Sequence, residues 1–267
     1  APHIRVNFRV DQWASPMDTT KRGPNGGKTF FEVYDHVIDE ITSHGLEVYG
    51  LLSNEIVAEG HGAEASQTWE DEFIKNSVAV VERYRDRMRV FESINEPNNF
   101  PLGTNAPFLS AQDFARLHGR LYRDVKVAHP KDACWDVSIL TGPILSLEGQ
   151  SEAAYLDAAI AYGRTHGAWQ EVVANTGKDP IDGVAYHLYV AQGSDSSEQD
   201  TAASFNANLD AFHAMLDARG LGATKLWISE FGFQSNHLGD QGQATRLDTA
   251  FATMSARSRI ASAPTAC

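Results

Sequence analysis

Val90-Phe91-Glu92-Ser93-Ile94-Asn95-Glu96-Pro97 is a short apolar run that ends in an amide, a carboxylate and a proline. Later in the chain, Leu226-Trp227-Ile228-Ser229-Glu230-Phe231-Gly232 has the same form: an apolar run, a glutamate, then a residue that lets the backbone turn away. β-Branched and aromatic residues bounded by breakers read as strands, and a proline at the end stops the ladder because it has no N–H to donate. The two stretches therefore predict strands over Arg89-Ile94 and Lys225-Ser229, and four more runs match them at Ile4-Phe8, Glu47-Leu52, Trp135-Leu140 and Gly183-Leu188. Between the strands, apolar residues recur at three- and four-residue steps, which predicts helices over Phe31-Ser43, Trp69-Tyr84, Ala111-Ala128, Glu152-Asn175, Ala203-Ala218 and Gly242-Ser255. Strands recur about every 40 to 45 residues, room for one helix and one loop per unit. Gly45 and Gly220 fall where a helix ends and the chain turns toward a strand. Gly23-Gly27 and Gln192-Asp200 read as loops. The alternation predicts βα units around a parallel sheet.

The net charge of −13 argues against nucleic acid, whose phosphates need a basic face. Hydrophobic residues make up 42% of the chain, enough for a sizeable core, and no linker or internal repeat divides residues 1–267, so one domain is expected. No apolar run approaches the roughly 18 residues of a membrane span. The sequence opens at Ala1 without a basic-then-apolar leader, which leaves its compartment unassigned and a secreted protein among the options. Cys134 and Cys267 are two thiols, too few for a disulfide framework or a zinc site. The ten histidines show no His-Glu-x-x-His spacing and no glycine-rich phosphate loop follows a strand, so neither a metal nor another cofactor is expected.

Glu96 and Glu230 each end an apolar strand, where a parallel barrel carries its active site. Composition alone would read them as surface glutamates. Apolar flanks desolvate a carboxylate, however, and allow its proton affinity to be tuned. The Asn95-Glu96-Pro97 motif taken with Trp227-Ile228-Ser229-Glu230-Phe231-Gly232 resembles the clan A glycoside hydrolases, closest to families 5 and 39. That resemblance implies a (β/α)8 barrel of TIM type and a retaining β-glycoside hydrolase. Glu96 would be the acid/base at the end of strand four, Glu230 the nucleophile at the end of strand seven, and Asn95 a partner of the sugar 2-hydroxyl. It also implies a raised pKa on Glu96 and a low one on Glu230, because one carboxyl must donate a proton while the other attacks.

Further matches lie in register. Asp182-Gly183-Val184-Ala185-Tyr186-His187-Leu188-Tyr189 resembles strand six of the clan, and a strand's period of two puts His187 and Tyr189 on one face. The resemblance makes Tyr189 a contact of the nucleophile and His187 a substrate-site residue, although a lone strand histidine is otherwise a satisfied core residue. Ile4-Arg5-Val6-Asn7-Phe8 resembles strand two, with Arg5 steadying the nucleophile or, equally, making a structural ion pair. Glu55 repeats the Asn-Glu pair without the proline and reads as a subsite or loop residue. His61, His237, Trp13, Trp69 and Phe100 are weaker candidates for sugar contact.

The sequence departs from the clan at both ends. If Ile4-Phe8 is strand two, no first strand precedes it, and Arg259-Ile260-Ala261-Ser262-Ala263 offers a weak last strand without the aromatic platform usual there. The expectation is an incomplete barrel of six to seven strands, with its edge at Ile4-Phe8 left open or covered in a homodimer. A β-linked carbohydrate is the expected partner. The alternative function is a carbohydrate-binding pseudoenzyme that keeps the cleft without turnover.

Overall fold

The structure is a computed structural model that describes residues 3–10, 27–57, 64–100, 107–127, 136–145, 151–189 and 198–261. Its strands are β1 (His3–Phe8), β2 (Glu47–Leu52), β3 (Val90–Ser93), β4 (Ser138–Leu140), β5 (Ile144–Leu145), β6 (Val184–His187) and β7 (Leu226–Glu230). The α-helices are α1 (Phe30–Ser43), α2 (Gln67–Tyr84), α3 (Ala111–Tyr122), α4 (Glu152–Gly163), α5 (Gly167–Thr176), α6 (Glu198–Ala218) and α7 (Ser235–Ser255). All strand pairings are parallel, in the orders β1-β2-β3-β4 and β5-β6-β7. Isolated parallel bridges from Leu140 to Gly183 and from Leu226 to Ile260 extend the circuit. The wall therefore runs from β1 through β4/β5, β6 and β7 to Ile260, with β2 the one strand neighbour of β1 among the described residues. Among the described residues the wall has seven staves, in keeping with the six or seven readable strands.

Two predicted elements are divided, and each division has a steric cause. Of the Trp135-Leu140 strand, Trp135 lies outside the described residues, and pairing stops after Leu140 and resumes at Ile144. At the break, Gly142 presses on the end of β3: a Cβ there would sit 2.4 Å from the Ser93 carbonyl oxygen and 2.6 Å from that of Ile94. The single helix predicted over Glu152-Asn175 is two, because the Trp169 ring packs on Gly163 so tightly that a Cβ would meet it at 2.5 Å. Gly167 then restarts the chain at φ 57°. Similarly, α3 stops at Tyr122 and the last turn widens into a π-helix over Arg123–Val127. Gly45 and Gly220 do take positive φ, 71° and 76°.

Alternation sorts the strands into two faces. Outward residues such as Phe8, Phe91, Ile139 and Tyr186 join the helices in the main core. Inward, Tyr49, Val90, Leu140, Ala185 and Trp227 form a second apolar layer, with the Tyr49 and Trp227 rings stacked at 6.0 Å across the barrel. This layer is a solid floor, and polar groups gather above it. Trp69 belongs to the outer core, buried against Phe73 rather than facing a cleft.

His118 ties the outer layer together. Its Nε2 lies 2.7 Å from the Pro180 carbonyl oxygen, which can only accept, so Nδ1 accepts from the Ser93 hydroxyl at 2.8 Å. Complete burial pushes its pKa down to about 4. A histidine held neutral in the fold but free to protonate when unfolded adds stability above its unfolded pKa, and that stability is lost as pH falls from about 6.5 toward 4. Denaturant titrations at pH 7 and pH 5 should differ by about 2 kcal/mol from this group, and His118→Gln should flatten that part of the profile.

Candidate active site

Arg5 on β1, Tyr49 on β2 and Glu92 on β3 point inward just above the floor. Glu92 has no exposed surface; its Oε2 accepts from Arg5 Nε at 2.8 Å and its Oε1 from the Tyr49 hydroxyl at 2.5 Å. Burial, and then the Glu92 charge, raise the Tyr49 pKa well above its ordinary value, which keeps the phenol a donor. The far side of the same guanidinium reaches Asn95 Oδ1 at 3.2 Å, His187 Nε2 at 3.3 Å and Glu230 Oε2 at 3.5 Å.

Strict alternation would not bring Asn95 and Glu230 to this place. On β3, Glu92 faces in and Ser93 out to His118, but Ile94 also packs in the outer core. The parity slips there because Ile94 takes φ 47°, and Glu96 follows at φ 43°. Both are rare values for non-glycine residues, and the strain is concentrated where the side chain must be aimed. On β7, a bulge pairs Tyr186 with Ile228 but His187 with Glu230, so Ser229 is the extra residue. Without it Glu230 would share the outward face of Ile228.

His187 joins the two carboxylates. Arg5 can only donate, so His187 Nε2 accepts from it and Nδ1–H points to Glu96 Oε1, 2.7 Å away. The Nε2 atom is also 3.7 Å from Glu230 Oε2. Tyr189 donates its hydroxyl to Glu230 Oε1. Burial, and then this hydrogen bond, hold the phenol protonated. One oxygen of Glu96 and one of Glu230 lie within 4.8 Å of each other and of the His187 ring nitrogen. These three residues could also offer a metal three ligand atoms, but a cation there would have to compete with the Arg5 guanidinium for the same imidazole and carboxylate.

All six residues predicted for the site, Arg5, Asn95, Glu96, His187, Tyr189 and Glu230, meet in one hydrogen-bonded cluster. One expectation is reversed. Burial does raise the proton affinity of Glu96, but hydrogen bonds from His187 and from Asn99 Nδ2 (3.0 Å), with the Arg5 charge beyond, outweigh it, and the carboxyl sits below its ordinary value. Glu55 takes hydrogen bonds from Asn7 at 3.3 Å and Ser53 at 3.0 Å and pairs with Arg9 at 3.1 Å, a polar cluster beyond Arg5 on β1. Phe100 is partly exposed. Trp13, His61 and the His237 side chain lie outside the described residues.

Glu92, Tyr49 and Asn99 escape sequence reasoning. Glu92 leaves one signal, a carboxylate at an inward position within an apolar strand, where an unpaired charge is not tolerated. Gly142→Ala should disturb the whole cluster through Ser93 and Ile94, with a stability loss of about 1 to 3 kcal/mol in chemical denaturation and a falling rate on whatever substrate the site takes.

No protein-family model matches the chain, and no curated protein matches it in sequence. Solved structures do match. An endo-1,4-β-D-mannanase from Thermotoga petrophila RKU-1 superposes with a TM-score of 0.62 at 13% identity, over 96% of this chain and 77% of that one. A GH5-4 broad-specificity endoglucanase from an uncultured bacterium gives 0.62 at 11% identity, over 96% and 71%. A GH128 endo-β-1,3-glucanase from Sorangium cellulosum gives 0.52 at 16% identity, over 96% and 84%. At these identities the likeness is one of architecture: the chain shares the (β/α)-barrel type of fold with these solved structures.

Proposed function

We propose that this protein is a retaining β-glycoside hydrolase, with Glu230 as nucleophile and Glu96 as acid/base, acting on a β-linked oligo- or polysaccharide. The observation that carries the reading is the short gap between the two carboxylates, within 4.8 Å between oxygens. Retaining enzymes hold the carboxyl groups about 5 to 5.5 Å apart and inverting enzymes about 6.5 to 9.5 Å, and a nearest-oxygen gap this short fits the first spacing more readily than the second. The neighbours' names, a β-1,4-mannanase, an endoglucanase and a β-1,3-glucanase, support a β-linked substrate without choosing the sugar.

In this mechanism Glu230 attacks the anomeric carbon as the glycosidic C–O bond breaks, and Glu96, in the protonated fraction it takes up from solvent, gives its proton to the departing oxygen. Glu230 is then an ester and Glu96 a carboxylate. Glu96 next takes a proton from water, the water oxygen attacks the same carbon, and Glu230 leaves as a carboxylate. Tyr189 and Arg5 both donate toward Glu230 and orient the carboxylate that attacks. His187 and Asn99 favour ionised Glu96, the form that serves as base in the second step. Asn95, held by Arg5, stands beside Glu96 to meet a sugar hydroxyl.

On an aryl β-glycoside, Glu96→Gln should lower turnover by about 10²- to 10⁴-fold and Glu230→Gln should remove nearly all of it. The product's anomeric configuration, read by NMR at early times, should match the substrate's; inversion, or near-normal rates in either variant, would overturn the assignment. Binding of β-glucan, xylan, mannan or galactan with no new reducing ends would instead identify a binding protein on a hydrolase barrel. Asn99→Ala deletes a hydrogen bond to the Glu96 carboxylate, so its pKa should rise and the alkaline limb of kcat/KM should move up by about half a pH unit.

A further inference from the structure

Glu92 is fully buried among the strands, and the double displacement as written gives it no part. Its two oxygens are nevertheless both committed. Oε2 lies 2.8 Å from Arg5 Nε and 2.8 Å from an Arg5 terminal nitrogen, a forked contact, and Oε1 takes the Tyr49 hydroxyl at 2.5 Å. A carboxylate with no access to water is stable only when paired in this way, so the Arg5 end of the contact is held far more firmly than a surface ion pair would be. The same terminal nitrogen also lies 3.2 Å from Asn95 Oδ1, and the other, Nη1, faces upward to Glu230 Oε2 at 3.5 Å.

Arg5 is thus one positive charge shared between a carboxylate below it and one above. We propose that Glu92 is a positioning residue for the hydrolysis, which clamps Arg5 in place and draws off part of its charge, so that the guanidinium orients Glu230 without holding it back from attack. The inference rests on the reading of Glu230 as the nucleophile. The groups facing this contact are Arg5 from β1, Tyr49 from β2, Asn95 and Glu96 beyond β3, His187 and Tyr189 at and beyond the end of β6, and Glu230 from β7; Leu140, beside Glu92 on β4, is apolar. Neutralising Glu92 leaves Arg5 with its full charge directed at Glu230. The anion above it is then over-stabilised and also loses its fixed partner geometry. Both effects act on the step in which the Glu230 charge is consumed, and neither touches the sugar.

The test uses the full chain and an aryl β-glycoside, with kcat and KM measured from pH 3 to 9. Glu92→Gln keeps the shape and removes the charge. It should lower kcat by about tenfold or more, leave KM within about twofold, and move the acid limb of kcat/KM down by about one pH unit. Tyr49→Phe, which removes one donor from Glu92 and leaves its charge to Arg5 alone, should move the limb the opposite way by less. Should Glu92→Gln fail to fold, Tyr49→Phe carries the test alone. A purely structural role would lower the melting temperature while leaving kcat per folded molecule and the acid limb unmoved in both variants, and that result overturns the inference. Glu230→Gln, assayed alongside, separates the two claims: an inactive Glu230→Gln with an unmoved limb in the Glu92 and Tyr49 variants refutes the positioning role alone, and an active Glu230→Gln refutes the mechanism beneath it.

Discussion

A guanidinium lodged in the wall of a barrel has five donors and no way to lose its charge, so the groups around it must be arranged to accept. Arg5 is such a group, and the order of the site can be traced from it. Below, it neutralises Glu92, which could not otherwise remain charged without water. Above, it reaches the amide of Asn95, the imidazole of His187 and the carboxylate of Glu230. Fixing His187 Nε2 as an acceptor leaves Nδ1–H for Glu96, so a residue on the first strand determines which way a proton is offered on the sixth. With Glu92, Glu96 and Glu230 around a single arginine, the cleft is an acidic place.

The second constraint is one of parity. Strands alternate, and an enzyme that draws its groups from several strands must break that alternation wherever the needed side chain falls on the wrong face. Here the break occurs twice, at Ile94 before Asn95 and at Ser229 before Glu230. The first depends on two residues in a backbone region suited to glycine, and it is accommodated by an actual glycine across the sheet, Gly142, whose missing side chain leaves room for the displaced carbonyls. The same glycine interrupts β4 and β5, so the gap in one stave follows from the aim of the next.

What could be read in advance follows from this. The strand cores and most helices were legible because periodicity and breakers are local. Arg5, His187, Tyr189, Asn95, Glu96 and Glu230 were legible because two short motifs fix a register on which the others fall at strand spacing. The division at Gly163 was not, since it depends on the Trp169 ring folding back from the next helix. Nor was the part of Tyr49 or of Asn99, whose significance exists only through the carboxylates they touch, 43 residues away in one case and 3 in the other. The proton affinity of Glu96 misled for the same reason: apolar neighbours in sequence indicate burial, and the histidine that reverses the effect arrives 91 residues later.

Asn98, two residues beyond Glu96, has no exposed surface and gives both ends of its amide to Leu145, donating to the carbonyl and accepting from the N–H at 2.8 Å each. A side chain here stands in for a strand's backbone. The segment that carries Glu96 is thereby included in the same cooperative unit as the sheet, rather than fraying like an ordinary connection. In amide hydrogen exchange, Leu145 would open together with the neighbouring strands and not on its own, and the turn that carries Glu96 would keep its shape until the barrel itself gives way.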